Sequence, residues 1–271
     1  MSSCVRLNNM KRMFFTKMVA SGNDFVVIDK QPSASLSALA RGCCDRKFGI
    51  GADGLLLVTK AKNADLRMRI FNADGSEAEM CGNGARCAAL FSGRRKAKML
   101  TLAGIINMRV CGNQVRIQLT DPKSIELDIP LTLNGRLIKA NFINTGVPHV
   151  VIFVEGLDKI DVSGIGRAIR HHARFSPAGT NVNFVEIENS NLIRVRTYER
   201  GVEAETLACG TGSSASALIF ALKNDSGSLV KVKTQSGEIL KVYFNSQEDK
   251  FNDVWLEGSA KIVYKGCWCD E

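Results

Sequence analysis

Two cysteines in this chain sit inside the same phrase. Met80-Cys81-Gly82-Asn83-Gly84-Ala85 and Ala208-Cys209-Gly210-Thr211-Gly212-Ser213 lie 128 positions apart. In each, a thiol precedes Gly-x-Gly and then a run of small, helix-compatible residues, 85–91 and 213–222. A glycine turn that opens a helix leaves backbone N–H groups without intrahelical partners at the positive end of the helix dipole. Such an end binds an anion and lowers the pKa of a thiol beside it. Two of them point to two thiols that serve one carboxylate-bearing ligand. The chemistry best suited to that pair is inversion at a carbon acid. One thiolate removes the proton from Cα, and the opposite thiol delivers another to the other face. The helix starts hold the carboxylate and the negative charge that develops on deprotonation. A free thiol titrates near about 8.5, close enough to neutrality to act as base or acid once tuned.

The elements that must position these thiols are mostly strands. Residues 1–12 are polar and unpatterned and read as a flexible lead-in. Residues 13–18 and 25–28 read as strands around the turn Ser21-Gly22-Asn23-Asp24. Residues 35–48 carry a helical pattern with Leu36, Leu39, Ala40 and Cys43 on one face. After a loop over 49–54, residues 55–58 form a buried strand, and 66–71 alternate as another that delivers the turn Asn72-Ala73-Asp74-Gly75. Cys81 and its helix follow. Residues 108–110 and 115–119 flank Gly112-Asn113, a hairpin signal.

The second half repeats the first. Residues 21–28 fall on 145–152, Arg69-Ile70-Phe71-Asn72 on Arg196-Thr197-Tyr198-Glu199, Cys81 on Cys209, and 101–106 on 234–239. The offsets are 124, 127, 128 and 133, drifting as loop insertions make them drift. The chain is therefore expected to be a duplicated unit of about 130 residues, the size of a domain. Each half is mostly strand with one long helix that starts at the cysteine and another that covers the sheet, so the class is α+β. Pro122, Pro130 and Gly135 punctuate the boundary, which separates an N-terminal half over 13–130 from a C-terminal half over 131–260. Two such pseudo-symmetric domains would set one thiol on each side of a ligand.

A chain of 271 residues, 45% hydrophobic, has room for two cores. The net charge of +9 permits a nucleic-acid partner, but no RNP-like aromatic motif, zinc-finger spacing or long basic helix accompanies it, so no nucleic-acid role is expected. Nine cysteines, an odd number, with no export signal point to reduced thiols and a cytoplasmic location. No uncharged stretch approaches the ~20 residues of a membrane span. Cys43, Cys44, Cys87 and Cys111 read as small core residues. Cys267-Trp268-Cys269 reads as a tail rather than a metal site, and His171-His172 as part of a basic surface helix. Neither a dinucleotide fingerprint nor a Schiff-base lysine is marked, so neither cofactor nor metal is expected.

The residues that surround the two thiols resemble diaminopimelate epimerases. The resemblance is carried by Gly22-Asn23-Asp24-Phe25, by Phe71-Asn72-Ala73-Asp74-Gly75, and by 80–87 (Met-Cys-Gly-Asn-Gly-Ala-Arg-Cys). It continues through Glu199-Arg200-Gly201 and 205–212 (Glu-Thr-Leu-Ala-Cys-Gly-Thr-Gly), and it spans roughly residues 13–263. It implies two similar α+β domains of duplicated origin, each a sheet wrapped around a central helix, with residues 261–264 returning to the first. It implies cofactor-independent interconversion of L,L- and meso-diaminopimelate, in lysine and peptidoglycan-precursor synthesis. Carried over position by position, Cys81 and Cys209 would be the acid/base pair. Gly82, Asn83, Gly210 and Thr211 would cradle the reacting carboxylate. Asn23, Asn72, Asn181, Glu199 and Arg200 would hold the amino groups and the distal carboxylate. His149 and Glu199 would tune the thiols, and the repeat supports this independently, since they replace Phe25 and Asn72 of the other half. The partner is thus an amino acid with two carboxylates; the assembly is left open, a homodimer among the options.

Three departures from the family pattern bear on substrate breadth. Val147 stands where many members have Asn, Gly54 where some have Gln, and the loop at 202–205 is one residue longer. Two alternatives remain at this stage. A related two-thiol amino-acid racemase of broader or proline-type substrate would keep the chemistry and not need Asn72, Asn181 and Arg200. A thiol redox or metal-binding protein is disfavoured by the lack of Cys-x-x-Cys.

Overall fold

The structure, a computed structural model, describes residues 11–133, 135–248 and 250–270. The lead-in expected over 1–12 lies outside these residues except for Lys11 and Arg12, which open the first strand. The chain forms two compact units. One takes the described residues up to Ile105 together with those from Ala260 onward; the other is Ile106–Ser259.

In the first unit, β1 (Lys11–Ala20) and β2 (Asn23–Ile28) pair antiparallel. Their tight turn places Ser21 and Gly22 at φ of 51° and 87°. The next strand, β3 (Gly54–Thr59), runs parallel to β2. A parallel neighbour needs a crossover, which α1 (Leu36–Cys44) supplies. β4 (Leu66–Asn72) returns antiparallel to β3 and carries the short β5 (Glu77–Ala78). A second crossover, α2 (Gly82–Phe91), leads to β6 (Lys96–Thr101), parallel to β4. The last strand, β18 (Lys261–Asp270), lies antiparallel on β1.

Strand alternation sorts the two faces of this sheet. Val26, Ile28, Leu55, Leu57 and Phe71 cluster with Leu36, Leu39, Ala40 and Cys43 of α1. Leu56 and Ile70 point the other way, onto the first turn of α2 at Gly84. The sheet wraps α2, which packs on β1, β2, β3, β4 and β18. The helix expected over 35–48 stops at Cys44. The Asp45 carboxylate takes the N–H groups of Lys47 (2.7 Å) and Phe48 (2.8 Å), offering the backbone an alternative to another helical turn.

The second unit repeats this order. β10 (Arg136–Asn144) and β11 (Pro148–Phe153) are antiparallel, and α3 (Val162–Arg170) crosses to β12 (Asn181–Asn189), parallel to β11. β13 (Leu192–Glu199) returns antiparallel and carries β14 (Ala204–Thr206). The helix α4 (Gly210–Asn224) then crosses to β15 (Leu229–Lys233), parallel to β13. β9 (Lys123–Leu133) flanks β10 as β18 flanks β1. Val150, Ile152, Val182 and Phe184 face Val162 and Ile169 of α3, and the opposite face of the sheet wraps α4.

The compact units are offset from the halves 13–130 and 131–260. A hairpin of β7 (Gly104–Cys111) and β8 (Gln114–Gln118) belongs almost wholly to the second unit. There β8 pairs with β17 (Lys250–Ser259), which follows β16 (Ile239–Gln247) on β15. Ladder pairing between distant segments, invisible to local punctuation, sets these limits. Among the cysteines, Cys43, Cys44 and Cys87 are buried as expected, but Cys111 is exposed, at the end of β7 beside the hairpin turn. Cys267 and Cys269 lie within β18 rather than in a tail.

The crossover α3 crowds its strand at one point. A Cβ on Gly166 would come within 2.6 Å of Tyr198 Cβ. Gly166→Ala is expected to destabilise the protein by about 1–3 kcal/mol through overpacking, whereas Gly227→Ala, with nothing within 4 Å, serves as the neutral control. Thermal melts of the two variants check this, and an unchanged midpoint for Gly166→Ala would refute the packing argument.

Candidate active site

Each unit builds the same device around its thiol. Cys81 and Cys209 are the N-caps of α2 and α4, with extended backbones at φ/ψ of −139°/123° and −111°/114°. The first intrahelical bonds are Ala85 N–H to Cys81 O and Ser213 N–H to Cys209 O, both 2.8 Å. The N–H groups of residues 82–84 and 210–212 precede those bonds and form the positive helix end. The second glycine of each motif allows a close approach to the sheet. A Cβ on Gly84 would lie 3.1 Å from Ile70 Cδ1, and one on Gly212 would lie 2.3 Å from Asn183 Oδ1.

The strands that lead into the cysteines are clamped in the same way. Arg69 of β4 grips Glu77 of β5 through two bonds of 2.7 and 2.8 Å. Arg196 of β13 grips Glu205 of β14 through two bonds of the same lengths. In both units the glutamate lies four residues before the thiol. Bidentate guanidinium–carboxylate pairs fix orientation as well as distance. The repeat aligned Arg69 with Arg196; that both arginines hold the carboxylate leading into the thiol required the structure.

In the second unit the buried Cys209 Sγ accepts the Gly212 N–H at 3.3 Å, a donor suited to a thiolate, and lies 3.5 Å from Thr211 Oγ1. Glu199, at the end of β13, takes hydrogen bonds from Thr206 Oγ1 (2.5 Å) and from Cys209. Burial pushes its carboxyl pKa up against those bonds.

His149 lies on β11, on the sheet face covered by α4, and is wholly buried. Burial first, and the Arg200 charge second, push its pKa down to about 3, so the ring is neutral near neutrality. Asn183 settles its tautomer. Thr197 Oγ1 donates to Asn183 Oδ1 (3.0 Å), and Asn183 Nδ2 donates to Val150 O (2.9 Å) and meets His149 Nδ1 at 3.1 Å. Nδ1 therefore accepts, and the ring proton is on Nε2. The chain His149–Asn183–Gly212–Cys209 brings this imidazole to the α4 start.

Asn181 spends its amide on backbone: Oδ1 takes the Arg200 N–H (2.9 Å), and Nδ2 donates to Pro148 O (3.0 Å). Arg200 reaches a cavity of about 360 Å³ lined also by Glu126, Phe142, Asn144, Pro148 and Arg174. Within it Arg174 pairs with Glu126 at 2.6 Å. The sequence reading missed Arg174 and the Asn183–Thr197 pair. The motif Asn181-Val182-Asn183 was a signal for Asn183, because alternation sets both asparagines on one sheet face.

In the first unit Asn83, buried, donates from Nδ2 to Asn23 Oδ1 at 2.5 Å. The fully buried Arg86 donates to Asn83 Oδ1 (2.9 Å) and to Ser21 Oγ (2.5 Å). Asn23 Nδ2 donates to Asp53 at 3.0 Å. Asn72, at the end of β4, donates to Ser76 Oγ at 2.9 Å. Arg86 and Asp53 were not among the expected site residues. Of those expected, the first unit carries Asn23, Asn72, Cys81, Gly82 and Asn83. The second carries His149, Asn181, Glu199, Arg200, Cys209, Gly210 and Thr211. His171 and His172 lie at the end of α3, and His172 Nδ1 accepts the Arg174 N–H.

The sequence matches the family model for diaminopimelate epimerase over residues 15–125 and 141–263. The chain belongs to the diaminopimelate epimerase family. The diaminopimelate epimerase of Aquifex aeolicus is 44% identical, with 96% of this chain and 99% of the relative covered. That of Chlorobaculum tepidum is 42% identical over 92% and 98%. Solved structures share the fold. A Bacillus anthracis phenazine biosynthesis protein of the PhzF family superposes with a TM-score of 0.74 at 18% identity, covering 96% of this chain and 99% of the other. An Agrobacterium vitis hydroxyproline epimerase does so with 0.69 at 16% identity, over 95% and 92%. Membership of this epimerase family makes the protein an isomerase. The sheet wrapped around a central helix, present once in each unit, is the architecture the resemblance implied. No helix among the described residues is long and apolar enough to cross a membrane.

His149 gives this family member a pH signature. Its folded pKa lies below its unfolded value near 6.5, so the folded state binds fewer protons. The stability tied to its neutral form is complete above about 6.5 and is lost as pH falls toward about 3. Across that window His149→Gln is expected to lose less stability than the wild type, by on the order of 1 kcal/mol per pH unit. Urea denaturation at a series of pH values checks this; parallel curves would refute a buried neutral imidazole.

Proposed function

We propose that the protein interconverts L,L- and meso-diaminopimelate without a cofactor, as a step in lysine and peptidoglycan-precursor synthesis in the cytoplasm. The observation that carries the reading is the duplicated thiol. Each unit has a cysteine as N-cap of the helix its sheet wraps, with Gly-x-Gly in the first turn. Family membership supports diaminopimelate as the substrate.

In this reading Cys81 and Cys209 act on one Cα. One thiolate takes the proton, the other thiol returns one to the opposite face, and the roles exchange in the reverse direction. The N–H groups of Gly82, Asn83, Gly210 and Thr211 hold the α-carboxylate and oppose the charge that builds as Cα is deprotonated. Glu199 takes the Cys209 hydrogen bond and favours the thiol form of that residue. The neutral His149 contributes a donor rather than a charge. Arg200 and Asn181 receive the distal end of the substrate, with Asn23 and Asn72 serving from the first unit. Val147 replaces a polar side chain beside Pro148 and leaves that end with one contact fewer, so a broader substrate range is the alternative outcome.

The test is NMR of the reduced protein in D₂O with L,L-diaminopimelate, and separately with L-glutamate and L-proline. Deuterium entering Cα of diaminopimelate, with meso product accumulating, is the expected result. Exchange confined to another amino acid would overturn the substrate and keep the chemistry. Cys81→Ala and Cys209→Ala are each expected to reduce epimerisation by about 10²–10⁴-fold or more, and full turnover by either would end the two-thiol mechanism.

A further inference from the structure

We infer that Arg86 and Asp53 are positioning residues that together lock the amide orientations of Asn83 and Asn23. They thereby decide which groups the first unit offers to substrate. The inference rests on the assignment of Asn23 and Asn83 to substrate binding.

The orientation of each amide follows from what its neighbours can do. A guanidinium only donates and a carboxylate only accepts. Arg86 Nη2 donates to Asn83 Oδ1 (2.9 Å), which leaves Asn83 Nδ2 to donate to Asn23 Oδ1 (2.5 Å). Asn23 Nδ2 then donates to Asp53 Oδ2 (3.0 Å). Reversing either amide would set donor against donor at the arginine or acceptor against acceptor at the carboxylate. Both ends are themselves anchored. Arg86 is sealed from solvent and also donates to Ser21 Oγ. Asp53 accepts from Arg46 (2.6 Å) and from the Asp24 N–H (3.1 Å). Asp24 in turn pairs with Lys17 at 2.8 Å.

The duplicate shows that the fold does not require this chain of bonds. At the positions of Arg86 and Asn23 the second unit has Ser214 and Val147. Ser214 merely donates to Gly210 O at 3.0 Å, yet α4 starts against its sheet as closely as α2 does. A guanidinium buried in one copy only is therefore there for what it orients. Asn23 retains, beyond the chain, one N–H and one oxygen lone pair. With the amide locked, the N–H meets a ligand carboxylate and the oxygen an ammonium group; a flipped amide would exchange them.

The test is a double-mutant cycle on the full-length protein, with R86M, D53N, the double variant and R86K, each first confirmed folded by its thermal melt. Either end alone can hold the amides, so each single variant is expected to lower kcat/KM for diaminopimelate only a few-fold. The double variant should lose at least tenfold more than the product of the singles, although Arg86 and Asp53 share no hydrogen bond; distant independent sites would simply multiply. R86K, which keeps a donor, should exceed R86M. Hydrogen exchange of the Asn23 side-chain amide, followed by NMR, should be slow in the wild type and faster in D53N. Multiplicative losses, or equal activity of R86K and R86M, would overturn the inference. A wild type inactive on diaminopimelate would instead remove the functional reading, and the exchange data would still decide whether the lock exists: unchanged exchange in D53N would refute it.

Discussion

Everything around the two thiols depends on how closely the first helical turn is pressed against its sheet. At Gly84 and Gly212 no side chain intervenes between helix backbone and strand side chains. At Gly212 a Cβ would clash with the Asn183 amide oxygen at 2.3 Å. That approach holds the helix N-terminus, with N–H groups that lie outside the intrahelical ladder, at a fixed height over the strands. The thiol one residue before the turn is held at the same height. The bidentate pairs Arg69–Glu77 and Arg196–Glu205 fix the other side of each cysteine. Between clamp and helix each thiol has little freedom.

On this shared frame the units have diverged in their polar interiors. Buried polar groups are costly unless their hydrogen bonds are made, and these replacements are joined in hydrogen-bonded chains, with His149 Nε2 left without an acceptor among the described residues. The first unit has a chain of donors and acceptors from Arg86 to Asp53. The second has Thr197, Asn183 and His149 in a chain that ends on a neutral imidazole. One unit thus carries fixed amides tied to charged groups. The other carries titratable groups shifted by burial, Glu199 upward and His149 downward.

Repetition and motif in the chain foretold much of this. The strands around Ser21-Gly22, the face of α1, the starts of α2 and α4 and the correspondence of the halves rest on local patterns that the structure preserves. The return of the last strand to the first unit was implied by the resemblance, and β18 does lie on β1. The place of β7 and β8 in the second unit was not legible, because β8 joins β17 through a ladder between distant residues. Exposure of Cys111 was missed because a cysteine at a strand end has no sequence mark separating it from one in a core.

The sequence by itself determined the class, the duplication and the two Cys-Gly-x-Gly helix starts. Those depend on residue type and spacing, which translation preserves in order along the chain. Only the tertiary structure decided which side chains share hydrogen bonds beside those helix starts. Arg86 meets Asp53 through two asparagines 60 residues apart, and Asn183 meets His149 across 34. A hydrogen bond is directional and short-ranged, so which groups share one is settled when the strands align in register and the helices dock, and not before.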